Sequence, residues 1–130
     1  MSDDSLTTYI DGLKASRVAN VNCITWNGSN TPLAGAGVYT GASRDGGATD
    51  GGVSSFSYFN GGFFADQAGT ASIEGSWDGT TWRTVATAAI VANTFLNLRT
   101  AITFKFYRTK VVNGATIQTV FQANSSYTVA

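Results

Sequence analysis

Residues 76–82, with the sequence SWDGTTW, combine the residue types in this chain that most invite a chemical function. An exposed tryptophan can stack on a sugar ring, and an aspartate in a tight loop can give an oxygen ligand to calcium. The same letters also fit a tight hairpin, because Asp-Gly is a favoured pair for a two-residue turn. The stretch is therefore a candidate sugar platform, a candidate calcium loop or a structural hairpin.

The segments on either side of this stretch favour the hairpin. Every second residue is small or apolar, which predicts that one side of the hairpin faces a core: Ala71, Ile73, Gly75, Trp77, Trp82, Thr84, Ala86 and Ala88. The two tryptophans are then expected to form an aromatic cross-strand cluster in that core. The stretch also resembles the Asp-box turn of sialidase propellers, which is itself a structural turn. We interpret SWDGTTW as a structural hairpin.

Other combinations of polar residues give little support for catalysis or metal binding. The chain has no His to act as a base, and its carboxylates show no paired spacing. Asp66 and Glu74 are interpreted as a turn residue and an exposed strand residue. Asp45 and Asp50, in the glycine-rich stretch 40–52, supply too few oxygens for calcium. The sequence predicts a non-enzymatic protein with no catalytic residue, cofactor or metal.

Length and composition indicate a single domain that binds partner chains. The 130 residues have room for a single core, and only 12% of them are charged, so the surface is built largely from small polar groups. Such a surface favours assembly over a monomer. Cys23 has no second cysteine to pair with and is interpreted as a small buried hydrophobe. The start does not resemble a secretory signal, so we expect the protein to fold in a reducing cytoplasm. The apolar stretch 85–92 is far shorter than the roughly 20 residues of a membrane helix, so we expect a soluble protein that contacts no membrane.

The charges are distributed unevenly along the chain. All eight acidic residues lie at or before Asp78, and the five basic residues that follow it are Arg83, Arg99, Lys105, Arg108 and Lys110. Five dispersed cations in a chain of zero net charge make a weak footprint for nucleic acid, so no nucleic-acid partner is expected. The asymmetry fits a basic face that docks on an acidic partner, and it fits solvated strand positions equally well.

The elements that would position these residues are strands. Segments rich in Val, Ile, Thr and aromatic residues, separated by glycine turns, predict strands at 53–59, 70–77, 81–89, 94–98, 101–112 and 115–122. The predicted fold is an all-β antiparallel β-sandwich, jelly-roll-like or a small barrel, with an extended N-terminal arm. Residues 1–35 are assigned to the arm and residues 36–130 to the sandwich. The arm is expected to lie either on its own sandwich or on a neighbouring subunit.

A second hairpin is predicted at Asn113-Gly114, because Asn-Gly selects a type I′ turn. In this hairpin Lys110 would face Ile117, and Phe106 would face Phe121. Neither side of it is purely apolar. A second covered surface and a bulge that swaps the faces explain this equally well.

Three groups of segments together resemble a small β-sandwich module of tailed-bacteriophage structural proteins over residues 31–123. The groups are 31–35 with 38–41, then 66–70 running into 73–79 and Trp82, and finally 107–108 through 113–116 to Phe121. The resemblance implies a non-enzymatic virion component, often a head decoration or cement protein or a module of a tail or neck fibre.

The sequence therefore predicts a capsid decoration or cement protein on the virion surface. Its expected partners are the major capsid protein and further copies of itself, as a homotrimer, and its candidate interface residues are Trp26, Arg99, Lys105, Arg108 and Lys110. The alternative is a carbohydrate-binding or structural module of a phage tail, neck or fibre, in which Tyr39, Tyr58 or Trp82 stacks on sugar.

Overall fold

The computed structural model describes residues 23–46 and 56–129, and the regular structure within them is entirely β. The nine strands in these residues are β1 (Cys23–Ser29), β2 (Val38–Thr40), β3 (Arg44–Asp45), β4 (Tyr58–Ala65), β5 (Gly69–Ser76), β6 (Arg83–Ile90), β7 (Leu96–Ala101), β8 (Phe106–Asn113) and β9 (Phe121–Thr128). The described part of the chain has no helix that is long and apolar enough to cross a membrane. The all-β prediction is confirmed.

The strands form two antiparallel sheets that pack face to face. Sheet 1 has the order β1-β9-β4-β7, and sheet 2 has the order β2-β8-β5-β6, with β3 also paired to β8. Buried residues alternate with more exposed ones along β4, β8 and β9, so each sheet turns one side inward. The predicted antiparallel sandwich is confirmed.

Two clusters of buried side chains fill the space between the sheets. One of them contains Phe59, Ile73, Tyr107 and Tyr127, all with 0% of their surface exposed. The ring of Phe59 stacks on Tyr107 with centroids 5.2 Å apart and meets Tyr127 edge-on at 5.0 Å. Burial of each such large side chain contributes about 1.5–3 kcal/mol, so this cluster fixes the two sheets against each other.

The described part of the predicted arm forms a strand of sheet 1. β1 runs antiparallel to β9 from Cys23, opposite Thr128, to Ser29, opposite Ala123. Cys23 is exposed rather than buried, because it lies opposite Thr128 on the outer side of an edge strand. Residues 1–22 lie outside the described residues, and the division into an arm at 1–35 and a sandwich at 36–130 stays a prediction.

The predicted Asp-Gly hairpin is present, but its tryptophans do not enter the core. β5 and β6 pair on either side of the turn, with Ala71 and Ile73 buried as predicted. The register shifts between Ile73 and Glu74, and this bulge turns the residues of β6 that lie nearest the turn to the opposite side. Trp77, just beyond β5, is 51% exposed, and Trp82 lies on the outer side of sheet 2. The predicted tryptophan cluster in the core is wrong.

The predicted hairpin at Asn113-Gly114 is also wrong, because β8 and β9 belong to different sheets. A type I′ turn needs a positive φ at both central residues. The described residues with a positive φ are Ala36, Asn93 and Gly79, and neither Asn113 nor Gly114 is among them. Residues 114–120 instead cross from sheet 2 to sheet 1, and β9 begins only at Phe121.

The buried side chain of Asn113 anchors this crossover. Its Nδ2 donates to the carbonyl oxygens of Ala34 at 2.9 Å and Thr116 at 2.8 Å, and its Oδ1 accepts from Gln118 Nε2 at 3.3 Å. Gln118 Oε1 accepts in turn from the backbone N–H of Leu33 at 2.9 Å. Asn113 therefore joins the loop before β2 to the crossover rather than forming a turn.

Candidate interaction surfaces

The outer side of sheet 2 carries three of the five predicted interface residues. We call the outward residues of β8 the β8 face: Phe106, Arg108, Lys110 and Val112. They point outward because the alternate residues Tyr107 and Val111 are fully buried. Lys105 immediately precedes the strand, and its Nζ lies 5.2 Å from the centre of the Phe106 ring.

Arg108 lies between an acid and an aromatic ring. Its Nε donates to Glu74 Oε1 at 2.7 Å, and its guanidinium carbon lies 4.1 Å from the centre of the Trp82 ring. Glu74 is opposite Arg108 on β5 and only 8% exposed, so the prediction of an exposed strand residue is wrong. Among residues 23–46 and 56–129 this is the single ion pair. The sequence identified Arg108 as a candidate interface residue. It did not reveal the pairing of β8 with β5 that brings Glu74 next to Arg108.

Lys110 has hydroxyl neighbours in place of an acid. It lies opposite Ser72 on β5 and Thr40 on β2. Two residues further along β8, Val112 lies opposite Val38 on β2, and the two valines are 39% and 53% exposed. The β8 face thus combines a cation that has no acidic partner among the described residues with adjoining apolar surface.

The other two predicted interface residues belong to sheet 1. Arg99 on β7 is exposed, its Nε donates to Asn60 Oδ1 at 2.9 Å, and its guanidinium lies 4.2 Å from the centre of the Tyr58 ring. Trp26 on β1 is half-buried and meets Tyr127 edge-on, with centroids 5.8 Å apart. The five predicted residues therefore do not share one continuous surface, and an interface role for Trp26 and Arg99 stays a prediction.

The carboxylate of Asp78 accepts hydrogen bonds from other residues of its own turn. Oδ1 accepts from the N–H groups of Thr80 and Thr81, both at 2.8 Å, and from the Ser76 hydroxyl at 3.0 Å. These hydrogen bonds, that of Thr81 foremost, lower the pKa of Asp78 from 3.8 to about 2. Gly79 adopts a φ of 78°, which glycine tolerates without strain, and its N–H donates to Ser76 Oγ. The SWDGTTW stretch is a structural turn, as its sequence predicted.

The remaining acidic candidates form no catalytic or metal-binding group in the described part of the chain. Asp66 accepts from the Thr119 hydroxyl at 2.6 Å and from the N–H groups of Thr119 and Val120, and these bonds lower its pKa. Asp66 precedes β5 and Glu74 lies near the end of that strand, and each has its own partners. Within residues 23–46 and 56–129, no three His, Cys, Asp or Glu side chains gather as metal ligands. Asp50 lies outside the described residues.

The aromatic residues predicted to stack on sugar are already in contact with other side chains. Tyr39 is half-buried and meets Phe121 edge-on at 5.8 Å. Tyr58 and Trp82 are each covered on one face by an arginine.

A depression on the outer side of sheet 1 was not predicted. It measures about 130 Å³ and is lined by neutral residues: Thr25, Asn60, Gly62, Phe95, Asn97, Asn124, Ser125 and Ser126. These residues come from β1, β4, β7 and β9, and Phe95 lies in the segment that leads into β7. No short stretch of sequence carries the site, because the register of four strands brings it together.

The family model described as "Uncharacterised protein YqxG N-terminal domain" matches residues 14–128, which is most of the chain. The chain belongs to this family. Its YqxG N-terminal domain spans every strand described above, including both outer sides of the sandwich. None of the curated proteins compared with the chain matches it.

The YqxG N-terminal domain shares its fold with the crystal structure of the PBSX exported protein XepA. The TM-score is 0.70 at 23% identity, and the match covers 82% of this chain but only 37% of XepA, so the chain spans about a third of that protein. A protein of Bacillus endospore appendages (TM-score 0.44, 18% identity, 83% of this chain and 84% of that one) and the tobacco streak virus coat protein (TM-score 0.43, 10% identity, 83% and 86%) are too distant to bear on function. At 23% identity the match to XepA shows the β-sandwich fold alone.

Proposed function

We propose that this chain is a non-enzymatic structural module of a phage particle, and that it acts there as a capsid decoration or cement protein. The resemblance of residues 31–123 to structural modules of tailed phages supports a place in the virion, and so does the fold shared with an exported protein of phage PBSX. The observation that carries the proposal is the β8 face, and we propose that this face docks on the major capsid protein.

The composition of this face is that of a protein interface. Arginine and tryptophan are enriched at interface centres, and here Arg108 is held in place by Glu74 and stacked on Trp82. The exposed valines beside Lys110 add apolar area that a partner can cover. Lys110, which has no acidic partner among the described residues, suits an acidic partner surface.

The proposed mechanism is differential binding. A copy that contacts neighbouring capsid subunits at once binds the assembled, expanded shell and not the separated subunits, so its binding free energy adds to the stability of the shell. We propose that copies bind as homotrimers and that residues 1–22 of the arm contact a neighbouring subunit. On this proposal, removal of residues 1–22 lowers the amount bound.

The test is to mix the purified protein with expanded phage heads that lack it, sediment the heads and quantify bound copies on a gel. We expect the number of bound copies per head to saturate at a value set by the number of sites in the capsid lattice. We also expect decorated heads to withstand a higher temperature than heads without the protein. Lys110→Gln should lower the amount bound. Gln122→Glu is the matched control, because it changes the net charge equally on the outer side of sheet 1.

Two other outcomes have clear meanings. Saturation at a few copies per head would contradict decoration and move the module to the neck or tail. No binding to heads would contradict a place on the capsid, and equal losses for Lys110→Gln and Gln122→Glu would contradict docking through the β8 face.

A further inference from the structure

The outer side of sheet 1 carries a row of amide side chains interrupted by one glycine. In the register of the sheet, Asn27, Asn124, Gly62 and Asn97 lie side by side on β1, β9, β4 and β7. Because Gly62 has no side chain, a gap separates Asn124 from Asn97. This gap is the floor of the 130 Å³ depression, which we call the amide pocket.

The ring of Phe95 forms one wall of the amide pocket. Phe95 precedes β7 and is 57% exposed. Its Cζ and Cε1 atoms lie 3.2 and 3.6 Å from the position that a Cβ atom would take on Gly62, so the ring depends on the absence of a side chain there. An aromatic ring that borders a polar concavity offers apolar surface to a ligand.

In the row of residues next to Gly62, the side-chain amide of Asn60 is held in a fixed orientation. Asn60 Nδ2 donates to Thr128 Oγ1 at 3.1 Å and to Ser126 Oγ at 3.4 Å, and Asn60 Oδ1 accepts from Arg99 Nε at 2.9 Å. These bonds set which end of the Asn60 amide faces each neighbour. A wall that is ordered before binding lowers the entropic cost of holding a ligand.

Asn124 contributes an acceptor that lacks a donor. Its Oδ1 is shielded from solvent and accepts no hydrogen bond, and it is the one such buried side-chain atom among the described residues. A buried acceptor without a donor is unfavourable. Gly62 lies directly opposite Asn124 on the adjacent strand, so the Asn124 amide borders the floor of the pocket, and a rotation of this amide that uncovers Oδ1 would let a bound hydroxyl group donate to it.

We propose that the amide pocket binds a neutral sugar residue. Its lining has no Asp, Glu, Lys or Arg, which disfavours a metal ion or a charged ligand. Amide and hydroxyl groups donate and accept hydrogen bonds as sugar hydroxyls do, and Phe95 faces the apolar side of the sugar ring. In the bound state the amides of Asn97 and Asn124 contact the sugar hydroxyls.

This inference is independent of the proposed function, because the two sites lie on opposite sides of the sandwich. The amide pocket belongs to the outer side of sheet 1, and the β8 face belongs to the outer side of sheet 2. A copy that docks through the β8 face leaves the amide pocket uncovered.

The test is a nuclear magnetic resonance titration of the ¹⁵N-labelled full chain with glucose, galactose, mannose and N-acetylglucosamine in separate experiments, and with glycerol as a reference polyol. We expect at least one sugar to cause saturable shifts of the amide signals of Gly62, Asn97 and Asn124. Phe95→Ala should weaken that binding roughly tenfold through loss of the ring contact. Gly62→Ala should weaken it too, because the added methyl group fills the floor.

The control is Trp77→Ala, which removes another half-exposed aromatic ring outside the pocket and should leave sugar binding unchanged. Retained spectral dispersion in each variant shows that it is folded. The proposal is overturned if none of the four sugars causes saturable shifts, if glycerol acts as strongly as the sugars, or if Trp77→Ala reduces binding as much as Phe95→Ala does.

Discussion

At the scale of single residues, Arg108 links β5, β8 and the start of β6 through its side chain. It binds the nearly buried Glu74 and covers the ring of Trp82. We predict that Arg108→Ala lowers the free energy of unfolding by about 3 kcal/mol, because it leaves a largely buried carboxylate without its partner. Urea unfolding followed by tryptophan fluorescence measures the loss.

Lys110 provides the matched comparison, since it lies two positions along the same strand and binds no acid among the described residues. Lys110→Ala should change the free energy of unfolding by less than about 0.5 kcal/mol. Similar small losses for both variants would show that the Arg108–Glu74 pair is a solvated surface contact. Such a result would also remove the argument that Arg108 is pre-positioned for a partner.

The turn at Asp78 makes the stability of the fold depend on pH in acid. The pKa of Asp78 in the fold is about 2, below its ordinary 3.8, so folding favours the charged carboxylate. Its contribution to stability is complete above the ordinary pKa and is lost as the pH falls through the lower one. We predict that the melting temperature falls less between pH 4 and pH 2 in Asp78→Asn than in the unmodified chain, as followed by circular dichroism.

Asp66 acts in the same direction, because its hydrogen bonds to Thr119 and Val120 also lower its pKa. Asp45→Asn is the control, since Asp45 makes none of these turn-forming bonds. Identical acid sensitivity in Asp78→Asn and in the unmodified chain would show that the charge of Asp78 does not stabilise the turn.

At the scale of elements, the crossover from β8 to β9 depends on Asn113. We predict that Asn113→Ala lowers the free energy of unfolding by about 2–3 kcal/mol, because it removes the donor to the carbonyl groups of Ala34 and Thr116 and leaves Gln118 without its acceptor. Chemical denaturation measures this loss. Asn27→Ala, at an exposed position of β1, is the control and should cost little. A small effect at both positions would contradict the anchoring role of Asn113.

Periodicity alone predicted the strands that lie in simple hairpins. The segments at 70–77 and 81–89 correspond closely to β5 and β6, because their alternation follows the pleat. The prediction from periodicity failed where a single residue changed the local geometry. The bulge beside Glu74 kept Trp82 out of the core, and the tertiary hydrogen bonds of Asn113 overrode the turn preference of Asn-Gly. Neither a bulge nor a tertiary amide contact leaves a periodic signal in a single sequence.

At the scale of the whole molecule, the sequence showed which cations exist but not how they are arranged. Arg99 and Arg108 occur nine positions apart in the chain yet lie in different sheets. The amide pocket draws Asn60, Asn97 and Asn124 from three strands that are distant in sequence. Such sites depend on strand order and register, which follow from the whole sandwich and not from any motif.

The two outer sides of the sandwich together make a prediction that neither makes alone. If the β8 face docks on a capsid, the amide pocket on the opposite side remains exposed on the particle. We predict that heads decorated with this protein bind a fluorescent derivative of the sugar found by titration, in proportion to the copies attached. Heads decorated with Phe95→Ala should carry the same number of copies and bind less sugar, whereas Lys110→Gln should lower the number of copies and leave sugar bound per copy unchanged.

A failure of decorated heads to bind the sugar would show which side of the sandwich contacts the capsid. Decorated heads that fail to bind the sugar, although the free protein binds it, would mean that sheet 1 and not sheet 2 contacts the capsid. Trp26 and Arg99, both in sheet 1, would then be the residues to substitute next. Because the two sheets present different chemistry, amides and hydroxyls on one side and cations with valines on the other, the docking side decides what the particle displays to its surroundings.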